Sequence, residues 1–300
     1  MIKMEELWLE RKRLVSEKKW IEVIDNLKSE EIIENKEEAK KILKEKLIFS
    51  IEKRIPKERF GIFFSGGVDS SLIAAICKRL KKDFICYTVG FQENTKEPED
   101  VIEAKKVAKK LGLELKYKIF DLNEAKEIIQ KTSKLLKKVG KNDVVNIGVG
   151  SVVLAAIELA SKDNIIYFLG GLGSEEIFAG YERHEKAKEI NKECWNGLKK
   201  MWERDLVRDF NLAKEFSVII KTPFLDEELI KYAMKIPAGW KIVDGKKKVV
   251  LREVAEEFLG EFAWRKKKAA QYGSCFDKAI SKLARKEGFK LKKEYLDYLK

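Results

Sequence analysis

The stretch Ser65-Gly66-Gly67-Val68-Asp69-Ser70-Ser71 limits what this chain can fold into more than any other. An apolar run, Phe60 to Phe64, precedes it and has the composition of a buried parallel strand. Leu72-Ile73-Ala74-Ala75-Ile76 follows it and reads as a helix. A turn of small residues between strand and helix leaves backbone N–H groups facing open space, with the positive end of the helix dipole behind them. Such a turn is a cradle for phosphate. The pattern Gly-x-x-x-x-Gly-Lys-Ser/Thr is absent, so this is not the lysine-bearing phosphate loop. Asp69 would repel a bare phosphate but can hold a Mg²⁺ that bridges phosphates. A capped helix with glycines for its turn would explain the turn residues. It would not explain glycines, an acid and hydroxyls crowded into one junction.

Beyond this junction the chain alternates. Strands are expected at Phe60–Phe64, Phe84–Val89, Leu115–Phe120 and Ile165–Leu169, and helices at Ser70–Leu80, Glu97–Leu111, Asn123–Lys138 and Gly148–Ser161. Short apolar strands alternating with amphipathic helices predict an α/β fold, a doubly wound and mostly parallel sheet. Upstream, Glu5 to Leu27 carries Leu7, Leu14, Trp20 and Ile24 at helical spacing, and Glu31 to Ile55 repeats the pattern until Pro56 stops it. After Gly173 the pattern is almost wholly helical. The division expected is a helical N-terminal extension over residues 1–35 and a sheet-centred domain over residues 36–300 whose C-terminal half is helical.

Composition narrows the function classes. The most apolar stretch, Val144 to Ala160, is interrupted by Asn146, Gly148, Gly150, Ser151 and Glu158 and reads as a buried helix, so no membrane partner is expected. The N-terminus lacks the apolar core of a signal peptide. Cys77, Cys86, Cys194 and Cys275 show neither C-x-x-C nor zinc spacing, which fits a reducing cytoplasm. The net charge of +13 arises from 63 Lys and Arg against 50 Asp and Glu. So many acids beside so many bases favour a charge-rich surface over nucleic-acid binding, which stays as the lesser reading. With His184 as the only histidine, a histidine triad or multi-histidine metal site is excluded, and a packing or surface role is expected for it.

The loop resembles the signature of the PP-loop ATP pyrophosphatases, which split ATP between its α and β phosphates. Three further segments bring the resemblance to the synthetase domain of asparagine synthetases and the related β-lactam-forming enzymes. They are Tyr87-Thr88-Val89-Gly90-Phe91, the element Phe168-Leu169-Gly170-Gly171-Leu172-Gly173-Ser174-Glu175-Glu176-Ile177-Phe178-Ala179-Gly180-Tyr181, and Thr222-Pro223-Phe224-Leu225-Asp226. Lys248-Val249-Val250-Leu251-Arg252 and Trp264-Arg265-Lys266-Lys267 follow the third in the family's order. The resemblance spans residues 40 to 275 or so and implies an adenine nucleotide alpha hydrolase-like fold. It implies that ATP lies on Phe64, Ser65, Gly66, Gly67, Val68, Asp69 and Ser70, with Val89, Gly90 and Gly171. It also implies that Asp69 and Glu175 share a Mg²⁺ on pyrophosphate. Lys248 resembles the family lysine that neutralises charge at the α-phosphorus, and the Lys266–Lys268 run is a weaker pyrophosphate candidate. For Glu175 and Glu176, helix-dipole complementation is the competing reading.

The match departs in informative places. Leu172 stands where the family has a glutamate linked to the acyl-adenylate and the incoming amine, which puts asparagine as product in doubt. Smaller departures are Gly170 for serine, Glu175 for aspartate, Ala179 for glycine and Lys221 for arginine. The family's full-length members begin with a glutaminase domain and its N-terminal cysteine. Here position 2 is Ile2 and Met1 to Lys57 is short and helical, so nitrogen is expected from ammonia, an amine or a separate glutaminase subunit. Trp8 and Trp20 are offered either as a dock for such a subunit or as packing within the chain. The leading expectation is an ATP-dependent carbon–nitrogen ligase that releases AMP and pyrophosphate. A tRNA-modifying adenylating enzyme and a nucleotide-binding partner subunit without chemistry remain open, the thiolation version of the former weakened by the unpaired cysteines.

Overall fold

Five parallel strands form the centre of the molecule: β1 (Phe60–Phe63), β2 (Phe84–Phe91), β3 (Leu115–Phe120), β4 (Tyr167–Leu169) and β5 (Ile219–Lys221), in the order β3-β2-β1-β4-β5. The computed structural model describes residues 6–92, 96–266 and 268–299; Ile2, Glu5 and Lys267, named above, lie outside them. Every residue of β2 is buried, which is why Phe84 to Phe91 runs apolar without alternation. Ile62 pairs with Cys86 on one side and with Leu169 on the other, and the Phe63 and Phe168 rings stack with centroids 4.4 Å apart.

The connections set the site. The chain leaves β1 through α3 (Val68–Arg79) to β2, and passes through α4 (Glu99–Leu111) to β3 at one edge. It then returns through α5 (Leu122–Lys137) and α6 (Val144–Ser161) to β4 on the other flank of β1. The strand order reverses between β1 and β4, so the loops after these two strands separate and open a crevice at the carboxyl edge of the sheet. The doubly wound α/β reading is therefore the observed architecture. Among the described residues α6 is the one helix long and apolar enough to cross a membrane. Its mean hydropathy is 1.9, and 56% of it is buried, against β2 and α5.

Two expectations fail. β5 was not foreseen, because its ladder is three residues long and its β-branched run, Val218-Ile219-Ile220, is embedded in a helical half. Register with β4 makes it a strand: Tyr167 pairs with Ile219 and Leu169 with Lys221. Nor is Glu5 to Leu27 one amphipathic helix. Leu9–Glu10 and Arg13–Leu14 form a hairpin turned by Arg11 and Lys12 at φ +49° and +62°, and only then does Ser16 cap α1 (Glu17–Asn26). Leu9 and Leu14, paired across this hairpin, pack partly buried against the core.

The N-terminal segment is fastened to its own chain. Trp8 and Trp20 are buried, and their indole N–H groups donate to Thr222 Oγ1 (2.9 Å) and the Leu198 carbonyl (2.8 Å), so neither offers a docking surface. Beside Trp8, the buried Glu6 accepts from Thr222 Oγ1 at 2.7 Å and from Arg54 Nε at 3.1 Å. Arg54, at the end of the second long helix α2 (Lys36–Glu52), also donates to Asp226 Oδ2 at 2.9 Å. Asp226 in turn caps the helix Glu227–Lys235. The segment Thr222 to Asp226 thus serves as a buried knot between the sheet edge and α2. Arg54→Ala is expected to remove the buried guanidinium that Glu6 and Asp226 share and to cost about 3 kcal/mol, the low end for a broken buried pair because Lys53 stays 3.0 Å from Asp226 and Thr222 still donates to Glu6; urea unfolding measures it.

Candidate active site

The loop after β1 begins inside the sheet, since Phe64 N–H still donates to the Tyr87 carbonyl at 2.8 Å. Ser65 N–H then donates to Ser70 Oγ at 3.3 Å, and Ser70 Oγ–H to the Gly67 carbonyl at 3.3 Å, closing a tight ring of small residues. Gly66 is left-handed (φ +67°), and a Cβ there would stand 2.7 Å from the Glu103 backbone in α4, so only glycine fits. Gly67 is the N-cap of α3, and no side chain caps this helix. The first-turn amides of α3, including those of Val68, Asp69 and Ser70, therefore project into the crevice with the helix dipole behind them.

Four side chains from three segments meet there. Asp69, in the first turn of α3, is 3% exposed. Ser174 and Glu175 open the short helix α7 (Ser174–Ile177) after β4, where Gly173 takes φ +98°, and Ser174 Oγ donates to Asp69 Oδ1 at 2.5 Å. Lys248 comes from the C-terminal half, before the helix Val249–Leu259. Its Nζ lies 2.9 Å from both Asp69 oxygens, 2.8 Å from Glu175 Oε1 and 3.2 Å from Ser174 Oγ. Burial alone would push the Lys248 ammonium down, but Asp69 and Glu175 outweigh it and hold its pKa above the ordinary value. The lysine is charged at neutral pH.

Two arginines brace this arrangement, and both act on backbone carbonyls. Arg252 Nε donates to the Lys247 carbonyl at 2.9 Å, and its Nη1 reaches the carbonyls of Ala263 (2.6 Å) and Arg265 (3.0 Å). Arg265 Nη1 donates to the Ser65 carbonyl at 2.7 Å, and Asp100 Oδ1 lies 3.4 Å from its Nη2. A hydrogen-bonded circuit thus runs from the loop after β1 through Arg265 and Arg252 to the turn that carries Lys248, and back through Asp69. Lys248 itself is left-handed (φ +59°), a conformation that costs a non-glycine residue about 1 kcal/mol. Sequence reading assigned neither arginine nor Ser174 a role: recognition of a carbonyl leaves no mark on the residue recognised, and only the fold sets Ser174 beside Asp69.

The remaining candidates are placed as follows. Gly171 backs onto Asp69, and a Cβ there would lie 2.9 Å from the Asp69 Cβ. Val89 and Gly90 lie buried at the carboxyl end of β2, with Pro98 and the Ser274 carbonyl against Gly90. Leu172 is half-buried against the core between Gly171 and Gly173. Glu176 belongs to a separate buried cluster, where it pairs with Arg204 and burial pushes its carboxyl up to about 7. Lys268 is engaged by Glu99 at 2.6 Å, and Lys266 is exposed. His184 is buried, with Nδ1 accepting from Tyr181 N–H at 3.2 Å; burial, then Arg183, push it down to about 3, so it is a neutral packing residue. No disulfide forms among the described residues, and burial raises the thiols of Cys77, Cys86 and Cys194.

The oxygen donors suit magnesium. No group of three His, Cys, Asp or Glu side chains converges among the described residues. Mg²⁺ on a nucleotide, however, takes one or two carboxylates and completes its shell with phosphate and water. Asp69 and Glu175, bridged by a single ammonium, present that pair. Gly180 is what lets them approach: a Cβ there would lie 1.7 Å from Glu175 Oε2 and 2.4 Å from Lys248 Cε. Gly180→Ala is expected to push Glu175 and Lys248 apart, with overpacking costing about 1–3 kcal/mol. Thermal unfolding together with nucleotide titration would read both consequences.

A family model described as asparagine synthase matches residues 43–190 and 183–299. This chain belongs to the asparagine synthase family. A relative named putative asparagine synthetase [glutamine-hydrolyzing] 1, from Methanocaldococcus jannaschii, is 35% identical over 93% of this chain and 59% of its own length. Asparagine synthetase [glutamine-hydrolyzing] of Rattus norvegicus is 29% identical over 75% of this chain and 41% of its own. The chain thus spans about half the length of these asparagine synthase relatives. Among solved structures, NH3-dependent NAD synthetase from Campylobacter jejuni aligns with a TM-score of 0.32 at 19% identity, over 49% of this chain and 61% of that one.

Proposed function

We propose that this chain is an ATP-dependent amide-forming ligase. A substrate carboxylate attacks the α-phosphorus of ATP, the bond to the β-phosphate oxygen breaks, and pyrophosphate leaves as its magnesium complex. Ammonia or an amine then takes the acyl group and AMP departs. The observation that carries this reading is the convergence of Lys248 on Asp69 and Glu175 beside the uncapped start of α3. Loop amides and Lys248 would neutralise charge gathering on the phosphates, the kind of fixed electrostatic stabilisation on which phosphoryl-site catalysis rests. Asp69 and Glu175 would hold the Mg²⁺, which supplies Lewis-acid neutralisation of the leaving group. Nitrogen would arrive as ammonia, free or released by a separate glutaminase, or as an amine.

Leu172 shapes the choice of acid. It lies in the chain between Gly171 and Ser174, both against Asp69, and its side chain has neither a donor nor an acceptor, so a substrate that needs a polar partner from this position would be rejected by orders of magnitude. Aspartate is therefore not the proposed substrate. The test is pyrophosphate release from ATP and Mg²⁺ with a panel of carboxylic acids and ammonia, repeated with tRNA. Release that depends on an acid supports the ligase. Release that depends on tRNA overturns it in favour of nucleic-acid modification, and nucleotide binding without release under any condition overturns it in favour of a regulator. Leu172→Glu is expected to create aspartate-dependent AMP formation that the native chain lacks.

A further inference from the structure

We infer that Lys248 is the resident cation of the metal position, so that a divalent ion enters only together with the nucleotide. The inference rests on the site reading above, but it concerns binding order and not chemistry. One ammonium sits 2.9 Å from both oxygens of Asp69 and 2.8 Å from Glu175 Oε1, at the point where the two carboxylates face each other. Lys248 is 3% exposed and Asp69 equally so, which leaves no second place between the carboxylates for a metal while the lysine stays. Gly180 packs against the lysine's Cε side, where even one added carbon would collide. A lone divalent ion arriving at this site must therefore displace a buried ammonium from two carboxylates and leave it, among its described partners, one neutral hydroxyl, Ser174 Oγ at 3.2 Å.

A nucleotide changes this balance because it brings the replacement. Its phosphates, lying on the first-turn amides of α3, would accept the ammonium while the carboxylates turn to the metal that accompanies them. The exchange is a movement of the side chain alone. Arg252 holds the Lys247 carbonyl at 2.9 Å, and the helix Val249–Leu259 starts immediately afterwards, so the Lys248 backbone is pinned on both sides. Two events are thereby coupled: metal without nucleotide is excluded by charge, and nucleotide without metal leaves two carboxylates facing phosphate.

The probe is Mn²⁺, whose free aqueous ion is counted directly by electron paramagnetic resonance. Without nucleotide, the full chain is expected to bind Mn²⁺ at this site at least tenfold more weakly than with α,β-methylene ATP, an analogue that cannot be cleaved there. Lys248→Met is expected to bind Mn²⁺ alone at least tenfold more tightly than the native chain, and adding Asp69→Asn to remove that gain. Equal affinity of native chain and Lys248→Met for Mn²⁺ alone would overturn the inference, as would native binding that the analogue does not strengthen. Should Lys248→Met not fold, Lys248→Gln, which removes the charge but keeps a polar head for Asp69, is expected to show the same gain for Mn²⁺ alone and decides in its place. No turnover is measured, so failure of the proposed reaction and failure of this exchange are separate results.

Discussion

Lys248→Ala is expected to reduce acid-dependent pyrophosphate release by about 10²–10³-fold, the range found when one preorganised charge-stabilising donor is removed from an acyl- or phosphoryl-transfer site. The size follows from burial. Lys248 is 3% exposed and touches two carboxylates and a hydroxyl, so no water can take over its charge without rebuilding the pocket. The same substitution removes the ammonium that bridges Asp69 and Glu175; breaking a buried pair costs about 3–5 kcal/mol, less here because the Arg252 guanidinium still acts on both carboxylates and Glu175 is a quarter exposed. Rate and stability must therefore be read together. Pyrophosphate release measured well below the variant's unfolding midpoint separates them, and retention of near-native release there would remove Lys248 from the chemistry.

A second lysine gives the opposite sign. Lys241→Met is expected to stabilise the protein by about 3 kcal/mol at neutral pH. Lys241 ends the short helix Ala238–Lys241 with no exposure, and its hydrogen-bond partner among the described residues is Met234 Sδ at 3.8 Å. Burial, only partly offset by Cys194, pushes its pKa from 10.5 down to about 8. Each tenfold change in proton affinity is worth about 1.4 kcal/mol, which sets the magnitude. The sign follows from proton counting. Below pH 8 folded and unfolded chains both carry the charge, and the full cost of burying it falls on the fold. Between pH 8 and 10.5 the unfolded chain holds the proton more tightly, so stability rises with pH as the folded amine turns neutral. The variant's advantage should be largest at neutral pH and disappear near the top of that window. Urea midpoints of both proteins at pH 7 and pH 10 check it, and an advantage that does not shrink with pH would falsify the assignment.

The sheet was largely legible in the sequence, because a buried parallel strand writes itself as a short continuous apolar run. Phe84 to Val89 marks β2 apart from its last two residues, and Leu115 to Phe120 marks β3 to the residue. Ile165 and Ile166 were assigned to β4, yet its ladder starts at Tyr167. β5 escaped because three residues carry no period, and register with β4 decides it. The N-terminal hairpin escaped for a related reason: Leu7, Leu14, Trp20 and Ile24 satisfy a helical spacing until Arg11 and Lys12 turn left-handed, which neither residue type announces. In the site, Asp69, Glu175 and Lys248 were found as separate segments, and the fold brings them within hydrogen-bond reach of one another. Trp8 and Trp20 show the limit of reading exposure from sequence, since their burial depends on carbonyl and hydroxyl partners more than 150 positions away.

The circuit through Arg252 and Arg265 ends on main-chain oxygens at positions 65, 247, 263 and 265, and every amino acid supplies that same atom. Its upkeep is therefore cheap in mutational terms. The Lys247 side chain, partly exposed and 3.7 Å from Glu185, is not part of the coupling, so drift there leaves the two guanidinium groups holding the turn in register. Variation on the surface of that turn is thus separable, atom by atom, from the scaffold that positions Lys248.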